Sequence, residues 1–302
     1  MALRALYDVA APAKLNLFLH VVGRRPDGYH LLQSVFVLID WSDTLHLERR
    51  DDGRISRRDL CTALPEDDLC LRAARALQAA SGITHGVDIS IEKRIPSGAG
   101  MGGGSSDAAS TLLALNRLWA LRWPLDRLQA LGLKLGADVP FFLGGDNALV
   151  EGIGERLTPL PLPAQWFAVV KPAAGLETRA IFQSPLLGRS DEAAIVEGFT
   201  GCGSEVQSPG LRGDATGGGI SWSFGRNDLQ AAAEAGCSEV AEAASLLRSS
   251  FGNSRMTGSG SAVFARAGWG DRPEGEIPEL PTGWTGRICR SLPAHPSHGW
   301  AD

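Results

Sequence analysis

Hydrophobic residues alternate with polar ones through GVDISIEKRI (86–95), where Val87, Ile89 and Ile91 are set against Asp88, Ser90 and Glu92. That two-residue period predicts a strand with one buried face. AKLNLFLHVV (13–22) predicts another strand, and SVFVLIDWSDTLHLER (34–49) predicts two extended segments folded as a hairpin around a polar Trp41-Ser42-Asp43 turn. The period becomes helical in PEDDLCLRAARALQAASG (65–82), with Leu69, Ala73, Ala76, Leu77 and Ala80 at helical spacing, acids at the start and Gly82 at the end. SSDAASTLLALNRLW (105–119) puts Ala108, Leu112, Leu115 and Trp119 on one helical face, with Ser and Asp at its N-terminus. A shorter helix over 124–136 leads into GADVPFFLGG (136–145), read as a tight loop between glycines.

DNALVEGIGERLTPL (146–160) reads as strand and turn. Pro159, Pro161 and Pro163 then mark a boundary, after which QWFAVVKP (165–172) restarts with a strand. Ser190–Ser221 is rich in Gly and Ser and predicts a long loop containing at most a short helix, DEAAIVEGF. SEVAEAASLLRSSF (238–251) predicts a helix, and GSGSAVFARA (258–267) a glycine turn entering a strand. The final thirty or so residues carry five prolines and predict a poorly structured tail. Strands and helices mix without the regular alternation of a doubly wound sheet, so the fold class is α+β. The expected division is an N-terminal domain over 1–160, a C-terminal domain over 161–290 and a tail over 291–302.

Composition narrows the function classes. Apolar content of 44% and charged content of 21% are those of a soluble globular protein. A net charge of −5 offers no general basic surface, which argues against nucleic acid as a partner. Cys61, Cys70, Cys202, Cys237 and Cys289 form no C-x-x-C pair and no disulfide framework, and no apolar run is long enough to span a bilayer. The expectation is a cytoplasmic protein without membrane association; the sequence leaves the oligomeric state open.

The candidate chemistry begins at IPSGAGMGGGSSDAAS (95–110), which holds five glycines in the seven residues from Gly98 to Gly104, between a strand and a helix. Glycines expose backbone N–H groups and permit positive φ, and a following helix adds the positive end of its dipole, so phosphate is the natural ligand. Gly98, Gly100 and Gly103 formally satisfy the dinucleotide pattern G-x-G-x-x-G, but the chain is still helical or turning where that pattern needs an acidic strand end. A Walker loop fails because no lysine lies between the glycines and Ser105. A different phosphate loop, with its cation supplied from elsewhere, remains. Ser105 and Ser106 are either helix caps or hydroxyls near phosphate and Mg²⁺.

PAKLNLFL, RRPDGYHLL, IPSGAGMGGGSSDAA, GADVPFFL, EGIGERL and MTGSGSAVFA occur in this order from Pro12 to Ala265. Through them the chain resembles the GHMP kinase superfamily, and within it the branch acting on a cytidine-diphosphate-linked methylerythritol. The resemblance implies a ribosomal-protein-S5-like N-terminal domain and a ferredoxin-like C-terminal domain with the site between them. It implies transfer of a phosphoryl group from ATP, with Mg²⁺ as ATP's partner, to the tertiary 2-hydroxyl of that small-molecule substrate, a step of the non-mevalonate isoprenoid route. Pro96, Ser97, Gly98, Ala99, Gly100, Met101, Gly102, Gly103, Gly104, Ser105 and Ser106 would cradle ATP, with Met101 where the family usually has leucine. Asp138 matches the catalytic aspartate, orienting or deprotonating the hydroxyl, and Lys14 the lysine beside it. Asn16, Tyr29, His30 and Phe182 match substrate-binding positions, Tyr29 and His30 as the cytosine reader with Phe182 on the base's other face. Gly258 and Gly260 would bring the C-terminal backbone near the substrate. Another small-alcohol kinase and a non-catalytic nucleotide sensor are the alternatives.

Overall fold

Two long strands organise the N-terminal half. In the computed structural model, which describes residues 3–190 and 224–301, β1 (Ala5–Arg24) and β2 (His30–Arg50) pair antiparallel along their lengths. The loop expected over 190–221 lies, after Ser190, outside the described residues.

The hairpin is therefore made by β1 and β2. The turn expected at Trp41-Ser42-Asp43 is instead a bulge within β2, where Ala13 faces Ile39 while Pro12 faces Ser42. Its polarity has another cause. Asp43 is fully buried and accepts N–H bonds from Arg94 and Ile95 at 2.5 and 2.8 Å, while Trp41 Nε1 donates to the Arg94 carbonyl. These bonds fasten the entry to the glycine loop onto β2.

β2 also pairs with β4 (Gly86–Glu92) over Thr44–Arg50 and with β5 (Ala148–Gly152) over Leu32–Phe36, while β3 (Ile55–Asp59) and β6 (Arg156–Pro159) extend the sheet outward. Helices α1 (Leu69–Ser81), α2 (Gly103–Leu118), α3 (Leu125–Leu133) and α4 (Val139–Gly144) accompany this sheet. α1 is capped by Asp68, whose carboxylate accepts from Leu71 N–H, and stops at Gly82 in the left-handed region. α4 corrects the loop expected over 136–145: Pro140 near its start and left-handed Gly145 at its end are helix signals, but six residues are too few for periodicity to show.

After the proline-marked link, β7 (Gln165–Lys171), β8 (Arg255–Met256), β9 (Val263–Trp269) and β10 (Thr285–Arg290) form a second antiparallel sheet in the order β10-β7-β9-β8. α5 (Thr178–Phe182), α6 (Gln230–Gly236) and α7 (Ser238–Phe251) belong to this half. Two sheets with their own helices give the α+β class.

One apolar cluster packs the first sheet on α1–α4, and another packs the second sheet on α6 and α7. A third joins the sheets, with Leu15, Phe18, Val35 and Ile39 meeting Phe167 and Phe264. Ala99 and Met101 of the glycine loop are buried in that middle cluster. The loop is thus fixed where the two halves meet.

The poorly structured tail is also corrected. Beyond β10, Ser291 bridges Ile39, Leu292 N–H donates to the Leu38 carbonyl, Asn147 Nδ2 donates to Leu292, and Ala294 bridges Asp146. His295 and Ser297 are buried. Prolines removed regular structure from this segment without removing its packing.

Candidate active site

Lys14 and Asn16 are two apart on β1, and both side chains are almost wholly buried. Lys14 Nζ donates to Asn16 Oδ1 at 2.6 Å and lies 3.7 Å from an Asp138 carboxylate oxygen. Burial draws the Lys14 pKa down and Asp138 draws it back up. The ammonium also sits 4.5 Å from the centroid of the Phe36 ring. Asp138 is the N-cap of α4 but makes no capping bond with its side chain, which is 31% exposed and so reachable by a ligand.

α4 positions more than Asp138. Phe141 packs edge-on against Phe36, and the Phe142 ring fills the space beside Gly102, where an added Cβ would come within 2.9 Å of it. The same Cβ would meet the Lys14 stem at 3.3 Å. Lys14 N–H donates to the Met101 carbonyl at 3.0 Å. The Lys14–Asp138 pair and the glycine loop are thereby set in one frame.

Gly98, Gly100 and Gly102 all have φ between +62° and +72°, as the sequence demanded of a loop that turns its backbone toward a ligand. The cap of α2 is Gly102 itself, with no side chain bonded to the first turn. Its initial N–H groups thus keep free donor capacity beside the dipole's positive end. This corrects the capping alternative for the serines: Ser105 and Ser106 lie inside α2, and Ser106 Oγ is buried without a partner.

Across the loop stands the C-terminal glycine turn. Ser261 and Ala262 N–H groups donate to the carbonyls of Gly98 and Ala99, and a Cβ on Gly100 would fall 2.3 Å from the Thr257 carbonyl oxygen. Asn16 joins the same contact: its Oδ1 accepts from Lys14, Thr257 Oγ1 and Gly258 N–H, and its Nδ2 donates to Ser34. Asn16 is therefore a junction between the halves, a role its position in the sequence does not reveal.

A cavity of about 220 Å³ opens at this junction. Lys14, Asn16, Gly100, Gly102, Asp138, Phe182 and Gly258 all line it, so residues spread over most of the chain are brought together. Sequence reasoning missed Ser34, Phe36, Thr178 and Ser259, which line it too; Thr178 and Ser259 hydroxyls are hydrogen-bonded at 2.8 Å. No motif singles these out. Tyr29 and His30 are not among the lining residues. Tyr29 is 61% exposed in the β1–β2 turn, and His30 stacks on Phe182 with centroids 5.3 Å apart and planes 24° from parallel. Burial, with Arg24 and Arg189 nearby, lowers the His30 pKa, and its Nδ1 is buried without a hydrogen-bond partner.

A second cation, Lys93, lies under the start of α2, bonded to Asp43 and, at 2.5 Å, to Asp107. Burial, aided by Asp43 and opposed by Lys93, pushes Asp107 up to about 8. Burial and the neighbouring Asp43 thus favour the protonated form of Asp107, against the pull of Lys93.

Comparison with known proteins identifies the family of the chain. Residues 68–146 match the family model described as the GHMP kinases N terminal domain. Over 304 residues, all of both chains, the protein is 61% identical to a Methylibium petroleiphilum protein named 4-diphosphocytidyl-2-C-methyl-D-erythritol kinase. A crystal structure titled 4-(cytidine 5'-diphospho)-2C-methyl-D-erythritol kinase superposes with a TM-score of 0.70 at 35% identity, covering 85% of this chain and 89% of that one. Homoserine kinase from Cytophaga hutchinsonii shares the fold, with a TM-score of 0.64 at 16% identity over 97% and 96% of the two chains.

Proposed function

The chain belongs to the GHMP kinase family, and we propose that within it the protein transfers a phosphoryl group from ATP to the 2-hydroxyl of 4-diphosphocytidyl-2-C-methyl-D-erythritol, a step of the non-mevalonate isoprenoid route. The observation that carries the chemistry is the Lys14–Asp138 pair facing the glycine loop in one cavity.

Phosphoryl transfer asks the protein for position and charge more than for covalent chemistry. The backbone from Pro96 to Ser106, with the free N–H groups at the start of α2, binds the ATP phosphates. Asp138 accepts the hydrogen bond of the substrate hydroxyl and holds its oxygen in line with the terminal phosphorus. Lys14, desolvated and fixed by Asn16, lies beside that carboxylate and meets the negative charge on the transferring group. The exposed Asp138 oxygens fit a hard cation, and Mg²⁺ arriving on ATP would neutralise charge between the phosphates. Among the described residues no group of three or more His, Cys, Asp or Glu gathers as a metal cage.

For the cytidyl end, Tyr29 and Phe182 offer flat surfaces, and the His30 ring, stacked on Phe182, would present its nitrogens to a base edge once that stack opens. Phe182 reaches both the cavity and His30, which supports a substrate path from the reacting centre to the β1–β2 turn. Among the described residues no helix is long and apolar enough to cross a membrane.

The test compares the cytidyl-linked alcohol with homoserine and mevalonate at equal concentration, with the product placed by phosphorus and carbon NMR. The expected result is rapid turnover of the first alone, with phosphate on the tertiary oxygen. Equal or faster phosphorylation of either other alcohol would overturn the assignment.

A further inference from the structure

We propose that His295, and the C-terminal segment it anchors, is a positioning element for Asp138. The inference rests on the reading of Asp138 as the residue that holds the substrate hydroxyl. Asp138 has no capping bond of its own, so the carboxylate's place relative to Lys14 depends on where α4 lies.

The C-terminal end of that six-residue helix is held from outside. Gly145, its cap, bonds back to Phe141 and accepts the His295 N–H on its carbonyl at 2.7 Å. An added Cβ on Gly145 would stand 3.0 Å from the His298 ring and 3.3 Å from His295 Cβ, so the tail is packed onto the backbone there.

The His295 ring faces two other elements of the site. It is 2% exposed; its Nδ1 accepts the Ser297 N–H at 3.0 Å, and its Nε2 lies 3.4 Å from Ser110 Oγ. Ser110 belongs to α2 and its hydroxyl donates to the Ala10 carbonyl of β1 at 3.1 Å. One histidine thus touches the helix that follows the glycine loop and reaches, through Ser110, the strand four residues before Lys14, while its backbone holds the end of α4. Because Ser291 and Leu292 are already joined to β2, this anchor cannot shift without disturbing the sheet.

The test is a double-mutant cycle. His295→Ala should lower kcat about tenfold while leaving the ATP dissociation constant within about twofold. His295→Asn, which keeps an acceptor for Ser297, should recover most of the loss. In an Asp138→Asn background His295→Ala should have almost no further effect, because the carboxylate it positions is gone. An unchanged kcat, or a loss that simply multiplies in the Asp138→Asn background, would overturn the proposal. Asp138→Asn with near-parental turnover would instead overturn the underlying reading of Asp138. If His295→Ala does not fold, the half-exposed His298→Ala carries the test. It should lower kcat about threefold with unchanged ATP binding, and no effect would count against the proposal.

Discussion

The two ends of the site are built differently. At the phosphoryl end, Lys14 and Asn16 are buried, every polar atom of the Asn16 side chain is hydrogen-bonded, and partners come from both halves of the chain. At the cytidyl end, Tyr29 stands exposed in a turn, and His30 and Phe182 stack on each other. Groups that must act on developing charge gain most from being fixed beforehand, since fixed dipoles cost no reorganisation during the reaction. Groups that recognise a flat base can pair with each other until the base displaces them. On the proposed reading, chemistry is preorganised here, and recognition is completed on binding.

The largest effect should come from the Lys14–Asp138 pair. Asp138→Asn and Lys14→Ala are each expected to lower kcat by about 10²-fold or more, with Asp138→Asn keeping ATP binding; steady-state kinetics and nucleotide titration read both. Gly100→Ala comes next. Its Cβ would meet the Thr257 carbonyl at 2.3 Å, at a positive φ, so the halves must separate. The expected cost is about 2–3 kcal/mol, measured by denaturant unfolding, with turnover falling alongside. A tolerated Gly100→Ala would mean that the interface is looser than its hydrogen bonds imply.

Phe182→Ala tests the other side of the comparison. It should raise KM for the cytidyl alcohol about tenfold and leave kcat nearly unchanged. A fall in kcat as large as that of Asp138→Asn would erase the distinction between the two ends.

The smallest effect concerns the charges under the loop. Asp107 is raised from its ordinary value to about 8, so the folded state favours its protonated form. Stability from this group is fully present below pH 4 and is lost as pH rises through 8. Asp107→Asn removes that loss. Its stability relative to the parent should increase between pH 5 and pH 8, as followed by thermal melts across that range.

Much of the site was legible in the sequence because local rules and function coincide there. Alternation in 86–95, helical spacing in 65–82 and 105–119, and the glycines from Gly98 to Gly104 predicted β4, α1, α2 and the tight loop between strand and helix. The failures share a cause: a polar or proline-rich stretch was read as a turn or tail when tertiary bonds hold it. Asp43 is polar because two buried N–H groups need it, not because β2 turns there. The tail has little regular structure, yet Asn147, Gly145 and Ser110 supply its partners from distant parts of the chain. Asn16 was read as facing substrate, and it lines the cavity, but its hydrogen bonds to Thr257 and Gly258 span more than 240 residues and leave no local signature.

The most direct test of the central claim is ADP release by the purified protein with ATP and Mg²⁺, measured with and without 4-diphosphocytidyl-2-C-methyl-D-erythritol. ADP should form in step with the added alcohol, stay near background without it, and fall by about 10²-fold in Asp138→Asn. ADP release that ignores the alcohol, or that survives the loss of the Asp138 carboxylate, would contradict the account.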